Sequence, residues 1–209
     1  MKKIVVLSLL LVVVFNFSSC KSEKKADYSK GDTVEVKKVT SKYSLSKAAN
    51  EINFTAYKTT DKVPVGGQFK KVDIISGGNG NTIKEAINQT EFSIPIRSIF
   101  TKDTSRDFKI KKYFFGVMAN TKLLSGKLII ENDSLGYANI KMNEVTEKVP
   151  FTYTIKGNTF SMNATMDVSN WKAIKALESL NAICKDLHKG ADGVSKTWSD
   201  VALNIKSTF

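Results

Sequence analysis

Cys184 and His188 stand four residues apart within Asn170–Lys189, a stretch whose pattern reads as a helix. Side chains at that spacing share a helix face. A thiol and an imidazole so placed could form two ligands of a metal site or a Cys–His nucleophile pair. His188 is the only histidine of the chain, and no third ligand is marked. The thiol also falls on an apolar stripe with Ile174, Leu177, Leu180 and Leu187. Thiols in such stripes are ordinarily buried and inert, because reactivity needs an exposed, electropositive setting. The pair is therefore expected to be structural, with no metal. Gly77-Gly78-Asn79-Gly80 lacks a following Gly-Lys-Ser/Thr and reads as a turn rather than a phosphate cradle. No paired-carboxylate, serine-triad or zinc-protease signature occurs, so no catalysis is expected.

The other cysteine suggests a different chemistry. Cys20 follows Phe17-Ser18-Ser19. Ahead of it, Lys2 and Lys3 make a basic start and Ile4–Phe17 is almost wholly apolar. A membrane-crossing helix needs about 20 apolar residues. This run is shorter and fits the apolar region of a secretory signal. Small residues leading into a cysteine resemble the lipobox of bacterial lipoproteins, where that cysteine is lipidated and begins the mature chain. Phe17 stands where leucine is usual. The expectation is a signal peptide over 1–19, then a lipidated Cys20 and a flexible, lysine-rich tether over 20–42. Within the tether, "VEVKKV" could form a stray strand. Two acyl chains hold a protein stably at a bilayer where one holds only marginally. The body would then lie in the cell envelope, outside the cytoplasmic membrane, with the outer membrane favoured. That location leaves no role for cytoplasmic nucleic acid as a partner.

With 209 residues, 42% hydrophobic and 10% aromatic, the chain can bury one sizeable core. Its net charge of +12 suits an anionic surface, and equally plain solubility. Beyond Cys20 only Cys184 remains, so no internal disulfide can form and packing must hold the fold.

From Tyr43 onward the apolar period is two. Ile52, Phe54 and Ala56 alternate with polar neighbours, as do Phe92, Ile94 and Ile96. The pattern returns at Val149–Ile155, Phe160–Val168 and Val201–Ile205, with further strands expected at 66–76, 123–131 and 136–145. Lys156-Gly157-Asn158-Thr159 reads as a hairpin turn. Thr101–Lys112 could hold a short helix. A longer helix is expected from an N-cap at Asn170 to a stop at Gly190. About eight strands with one apolar face close into a barrel or stack as a sandwich. A barrel of that size holds side chains or one small ligand.

Three stretches resemble the YceI-like family of bacterial exported proteins. They are "EINFTAYKTTDKVPVGGQF" at 51–69, "FSIPIRSIFTKDTSRDFKIKKYFF" at 92–115 and "TWSDVALNIK" at 197–206. The resemblance spans most of 43–209. It implies a mostly β, lipocalin-like antiparallel barrel with one long helix before the last strand. The interior would take an isoprenoid-type lipid, such as a polyprenol or quinone, with no other cofactor. The segment between Asn170 and Trp198 is longer than is usual in the family and could cap or narrow the interior. Candidate lining residues are Phe54, Phe69, Phe92, Ile94, Ile96, Phe114, Phe115, Phe151 and Met162. Arg106 is the candidate contact for a headgroup, since its guanidinium fork suits an oxyanion or a carbonyl. Against this, Arg106-Asp107 could simply pin a loop to the barrel rim, which is the favoured reading of that pair. The rival reading of the whole domain is an envelope interaction module with a filled core. The oligomeric state is left open.

Overall fold

The computed structural model describes residues 41–209. The expected signal peptide, Cys20, nearly all of the tether and the "VEVKKV" piece lie outside the described residues. The described residues form one compact unit, within the span Val39–Phe209 that bounds the isolated domain.

Twelve strands occur among the described residues: β1 Tyr43–Ser44, β2 Ala49–Lys58, β3 Val63–Phe69, β4 Asp73–Ser76, β5 Asn79–Gly80, β6 Glu91–Pro95, β7 Ile99–Phe100, β8 Leu123–Ile130, β9 Leu135–Met142, β10 Val145–Lys156, β11 Thr159–Asp167 and β12 Asp200–Thr208. The helices are α1 Ile83–Ile87, α2 Thr104–Lys109 and α3 Ile174–Ile183. Ten strands make one antiparallel sheet in the order β4-β6-β8-β9-β10-β11-β12-β2-β3-β7, and β1 pairs with β5. The sheet curls into a half-barrel whose edges, β4 and β7, are not bonded to each other. A mostly β, lipocalin-like fold is thus what forms, with more strands than the eight expected.

The extra strands have local causes. The expected strand at 66–76 is two strands: β3 ends at Phe69, Lys70 N–H still donates to Ser98 O in register with β7, and β4 begins only at Asp73. β3 then pairs with β2 and β7, while β4 pairs with β6. The alternation through Ile96 also stops early: β6 ends at Pro95, and Ile96–Ser98 winds into a 3₁₀ turn.

The helix before the last strand is shorter than its pattern. Trp171 is buried, and its indole Nε1 donates to Ile140 O at 2.9 Å. Lys172 then turns left-handed at φ 56°, so α3 starts only at Ile174, with no side-chain cap from Ala173. It ends at Ile183, well before Gly190. The chain also inserts a π turn, Ile110–Phe114, directly after α2.

Three inward phenyl rings rest on glycines of the neighbouring strand. Phe54 faces Gly67, Phe92 faces Gly126 and Phe151 faces Gly136 in register. A Cβ at any of these glycines would meet the opposite ring within 2.4–2.7 Å. The rings therefore lie down over bare backbone, as aromatic side chains do over strand glycines. Rings lying flat against the wall take less of the interior than rings pointing across it.

Candidate functional site

Two cavities occupy the interior of the curled sheet. The first, about 110 Å³, is walled by side chains that include Ile52, Phe92, Ile94, Leu128, Phe160 and Met162. The second, about 140 Å³, lies under α3 and the π turn and is walled by Ile110, Phe114, Phe115, Leu177, Leu180 and Trp198, among others. Phe54, Phe69, Leu124, Met166 and Leu203 line both, so they form the partition between them. Among the described residues no ionisable side chain lines either cavity.

The side chains of Ser207, Asn50, Thr197 and Trp198 in the walls are bonded to protein. Ser207 Oγ donates to Asn50 Oδ1 at 2.6 Å, and Asn50 Nδ2 donates to Leu45 O and Ala48 O. Trp198 Nε1 donates to Thr59 O at 2.7 Å. A guest therefore meets hydrocarbon and aromatic faces. Such a wall selects by shape and apolar area, at about 25 cal/mol per Å² removed from water.

Seven of the nine expected lining residues meet at these cavities: Phe54, Phe69, Phe92, Ile94, Phe114, Phe115 and Met162. Ile96 and Phe151 line neither cavity. Ile96 packs into the buried cluster around Trp171, and Phe151 is buried beside Tyr153. Sequence reasoning missed Leu124, Met166, Leu203 and Phe160. Met166, Leu203 and Phe160 sat on the apolar phase of strands already recognised, and that phase was the available signal.

Arg106 lines neither cavity. Its guanidinium approaches Asp103 at 3.5 Å and Thr101 O at 3.4 Å. Its neighbour Asp107 is buried and accepts from Thr101 N–H at 2.8 Å and Thr101 Oγ1 at 2.7 Å. The two adjacent charges are thus engaged separately, and Asp107 is the one that pins the loop.

Cys184 is buried, and burial pushes its thiol above the ordinary value, away from the reactive thiolate. His188 Nδ1 lies 2.7 Å from Thr197 Oγ1. That hydroxyl donates to Asn181 Oδ1 at 2.9 Å, so it accepts from Nδ1–H of a neutral ring. Burial first, then the positive charges of Lys58 and Lys109, hold the imidazole below its usual value. Among the described residues no group of three or more His, Cys, Asp or Glu side chains is placed to hold a metal ion.

A curled antiparallel sheet around an apolar, uncharged interior defines a lipocalin-like class of protein. Within that class the chain belongs to the YceI-like domain family, whose model matches residues 43–209. Solved structures agree on the fold. A polyisoprenoid-binding domain from Saccharophagus degradans, implicated in plant cell wall breakdown, is similar at TM-score 0.56 and 13% identity, over 80% of this chain and 98% of that one. BcnA of Burkholderia cenocepacia is similar at TM-score 0.51 and 13% identity, over 80% and 99%. No curated protein matches the sequence.

Proposed function

We propose that the domain binds an isoprenoid-type lipid, a polyprenol or quinone, inside the curled sheet and carries it without chemical change. The observation that carries this reading is the pair of adjoining cavities with no ionisable lining residue among the described residues. Membership of the YceI-like family supports it, as does the polyisoprenoid-binding domain that shares the fold. In this reading the protein acts in the cell envelope, held by a lipidated Cys20 on the outer side of the cytoplasmic membrane, the outer membrane being favoured.

Size bears on how loading works. A cavity of about 150 Å³ admits a guest such as benzene. Each chamber here thus takes roughly one five-carbon isoprene unit. A longer chain needs the partition to yield, and Met166 gives it an unbranched, adaptable side chain. The same small volumes favour the rival reading of a closed core that serves protein contacts. Titrating Val39–Phe209 with a medium-length polyprenol, followed by the fluorescence of cavity-lining Trp198, separates the two. Saturable binding at one lipid per chain supports the carrier. No saturation by polyprenol or quinone, in protein that melts cooperatively, supports the closed core.

A further inference from the structure

The end of the sheet capped by α2, α3 and the turns between Ile110 and Val117 exposes a run of large apolar side chains. Phe108, Val117, Ile174, Ile183 and Leu187 are 46–58% exposed. Lysines alternate with them. Lys112, Lys172, Lys175 and Lys185 are exposed, and Lys109 and Lys111 are half-buried. None of these six has a carboxylate partner among the ion pairs of the described residues. Lys112 instead lies over the rings of Phe108 and Tyr113, 5.4 and 5.2 Å from their centroids.

These elements form one continuous surface. α3 packs on the π turn and on Phe115–Val117, and α2 packs on the same π turn. Lys109 lies close enough to Cys184 to act on its charge, and Lys58 Nζ donates to Leu187 O at 2.9 Å. Directly beneath is the second cavity, walled by Ile110, Phe114, Leu177 and Leu180. Trp198, which also lines it, carries Lys196 at 3.5 Å and Lys62 at 4.9 Å from its ring.

Apolar side chains interleaved with unpaired lysines fit the boundary of an anionic bilayer, where apolar groups enter and cations meet headgroups. Indoles favour that same boundary. A protein interface would instead place its charges at the rim and deplete them from the centre. The covering layer is also the least regular part of the fold. A π turn is a rare conformation, found often at functional sites, and α3 begins without a side-chain cap.

We propose that this helical end docks onto an anionic membrane surface, and that lipid enters the second cavity between the π turn and α3. The proposal rests on the lipid-binding reading above. Its test is co-sedimentation of Val39–Phe209 with phosphatidylcholine vesicles, with and without phosphatidylglycerol, at low and high salt. Each lysine near an anionic surface strengthens binding on the order of fivefold. Binding is therefore expected to be at least tenfold weaker without phosphatidylglycerol and to fall with salt. Phe108→Ser with Leu187→Ser, and separately Lys112→Glu with Lys185→Glu, should each weaken it by about tenfold or more. Ile155→Ser, an exposed apolar position at the far end of β10, should leave it unchanged.

No binding, equal binding to neutral and anionic vesicles, or parental binding by both double variants would overturn the proposal. Thermal melts establish that each variant is folded. Solvent extraction of the same protein separates the two readings. Bound isoprenoid without vesicle binding removes the docking face alone. Vesicle binding without polyprenol or quinone uptake leaves the docking face standing and removes the carrier.

Discussion

Gly67→Ala should close the passage between the two cavities. The new Cβ would sit 2.4 Å from Phe54 Cζ and 2.9 Å from Thr101 Cγ2. Carbon atoms in contact rest at about 3.5–4.0 Å. The phenyl edge must therefore retreat by more than about 1 Å. The β3 backbone blocks it on one side, so it moves into the interior, where Phe54 lines both chambers. Overpacking of this kind costs about 1–3 kcal/mol. For a domain of this length that lowers Tm by roughly 2–12 °C, and at least a tenfold loss of polyprenol affinity is expected alongside it. Two companions make the outcome specific. Gly66→Ala, whose Cβ would meet nothing within 4 Å, should leave both properties near parental. Adding Phe54→Leu to Gly67→Ala should restore space and recover affinity. The assay is lipid titration beside thermal melts for all variants. A folded Gly67→Ala protein that binds polyprenol as tightly as the parent would refute the reasoning. So would a loss of affinity that Phe54→Leu does not relieve.

Removing the buried Trp171 indole and its bond to Ile140 O by Trp171→Ala should cost about 3–5 kcal/mol, read as a lower urea midpoint with little change in its slope. Asp107→Ala strands the buried N–H of Thr101, whose hydroxyl keeps only the longer bond to Asp103 O, and should cost about 1–3 kcal/mol, whereas Arg106→Ala, on a partly exposed side chain, should cost less than about 1 kcal/mol in the same unfolding assay. His188 has a depressed folded value, so the unfolded chain takes up its proton first. Stability from this group is complete above the ordinary value of 6.5 and declines as pH falls from there toward the folded value. Melting Val39–Phe209 between pH 7.5 and 5 should show that decline, and His188→Gln should flatten it. Buried Cys184 should react with a thiol reagent at neutral pH far more slowly in the folded domain than after denaturation, read by the rate of colour release.

Period-two alternation revealed the long strands because each has one face toward the interior and one toward water. β2, β10, β11 and β12 were legible for that reason. The Gly157 turn was legible too: its φ of 57° is what a two-residue hairpin asks of glycine at that place. α1 went unread although Thr82 and Glu85 carry the N-terminal capping pattern; Thr82 Oγ1 accepts from Glu85 N–H, and Glu85 accepts from Asn81 N–H. Five helical residues are too few to show a periodicity. The overlong reading of α3 had the opposite cause. Its apolar stripe continued past Ile183 to Cys184 and Leu187, and Asn170 offered a cap ahead of it, but burial of Trp171 and the left-handed Lys172 delay the start to Ile174.

Among the lining residues, Phe54, Phe69 and Phe92 were found because large apolar groups on strands face inward, whereas Phe160 and Trp198 were not singled out. The partition itself could not be read. It depends on which strands lie opposite one another, and that is set by sheet order rather than by any local pattern. The Phe–Gly pairs share this origin, since the partners are 13, 34 and 15 residues apart and meet only through register.

The most direct test of the central claim is the cargo itself. Val39–Phe209, purified from a bacterium, would be measured intact by native mass spectrometry, then extracted with organic solvent and its lipids identified beside an unrelated basic barrel. The account predicts one polyprenyl or quinone molecule per chain, absent from the control, with stoichiometry reduced in Gly67→Ala. Folded protein that carries no such lipid and acquires none when polyprenol or quinone is supplied would contradict it.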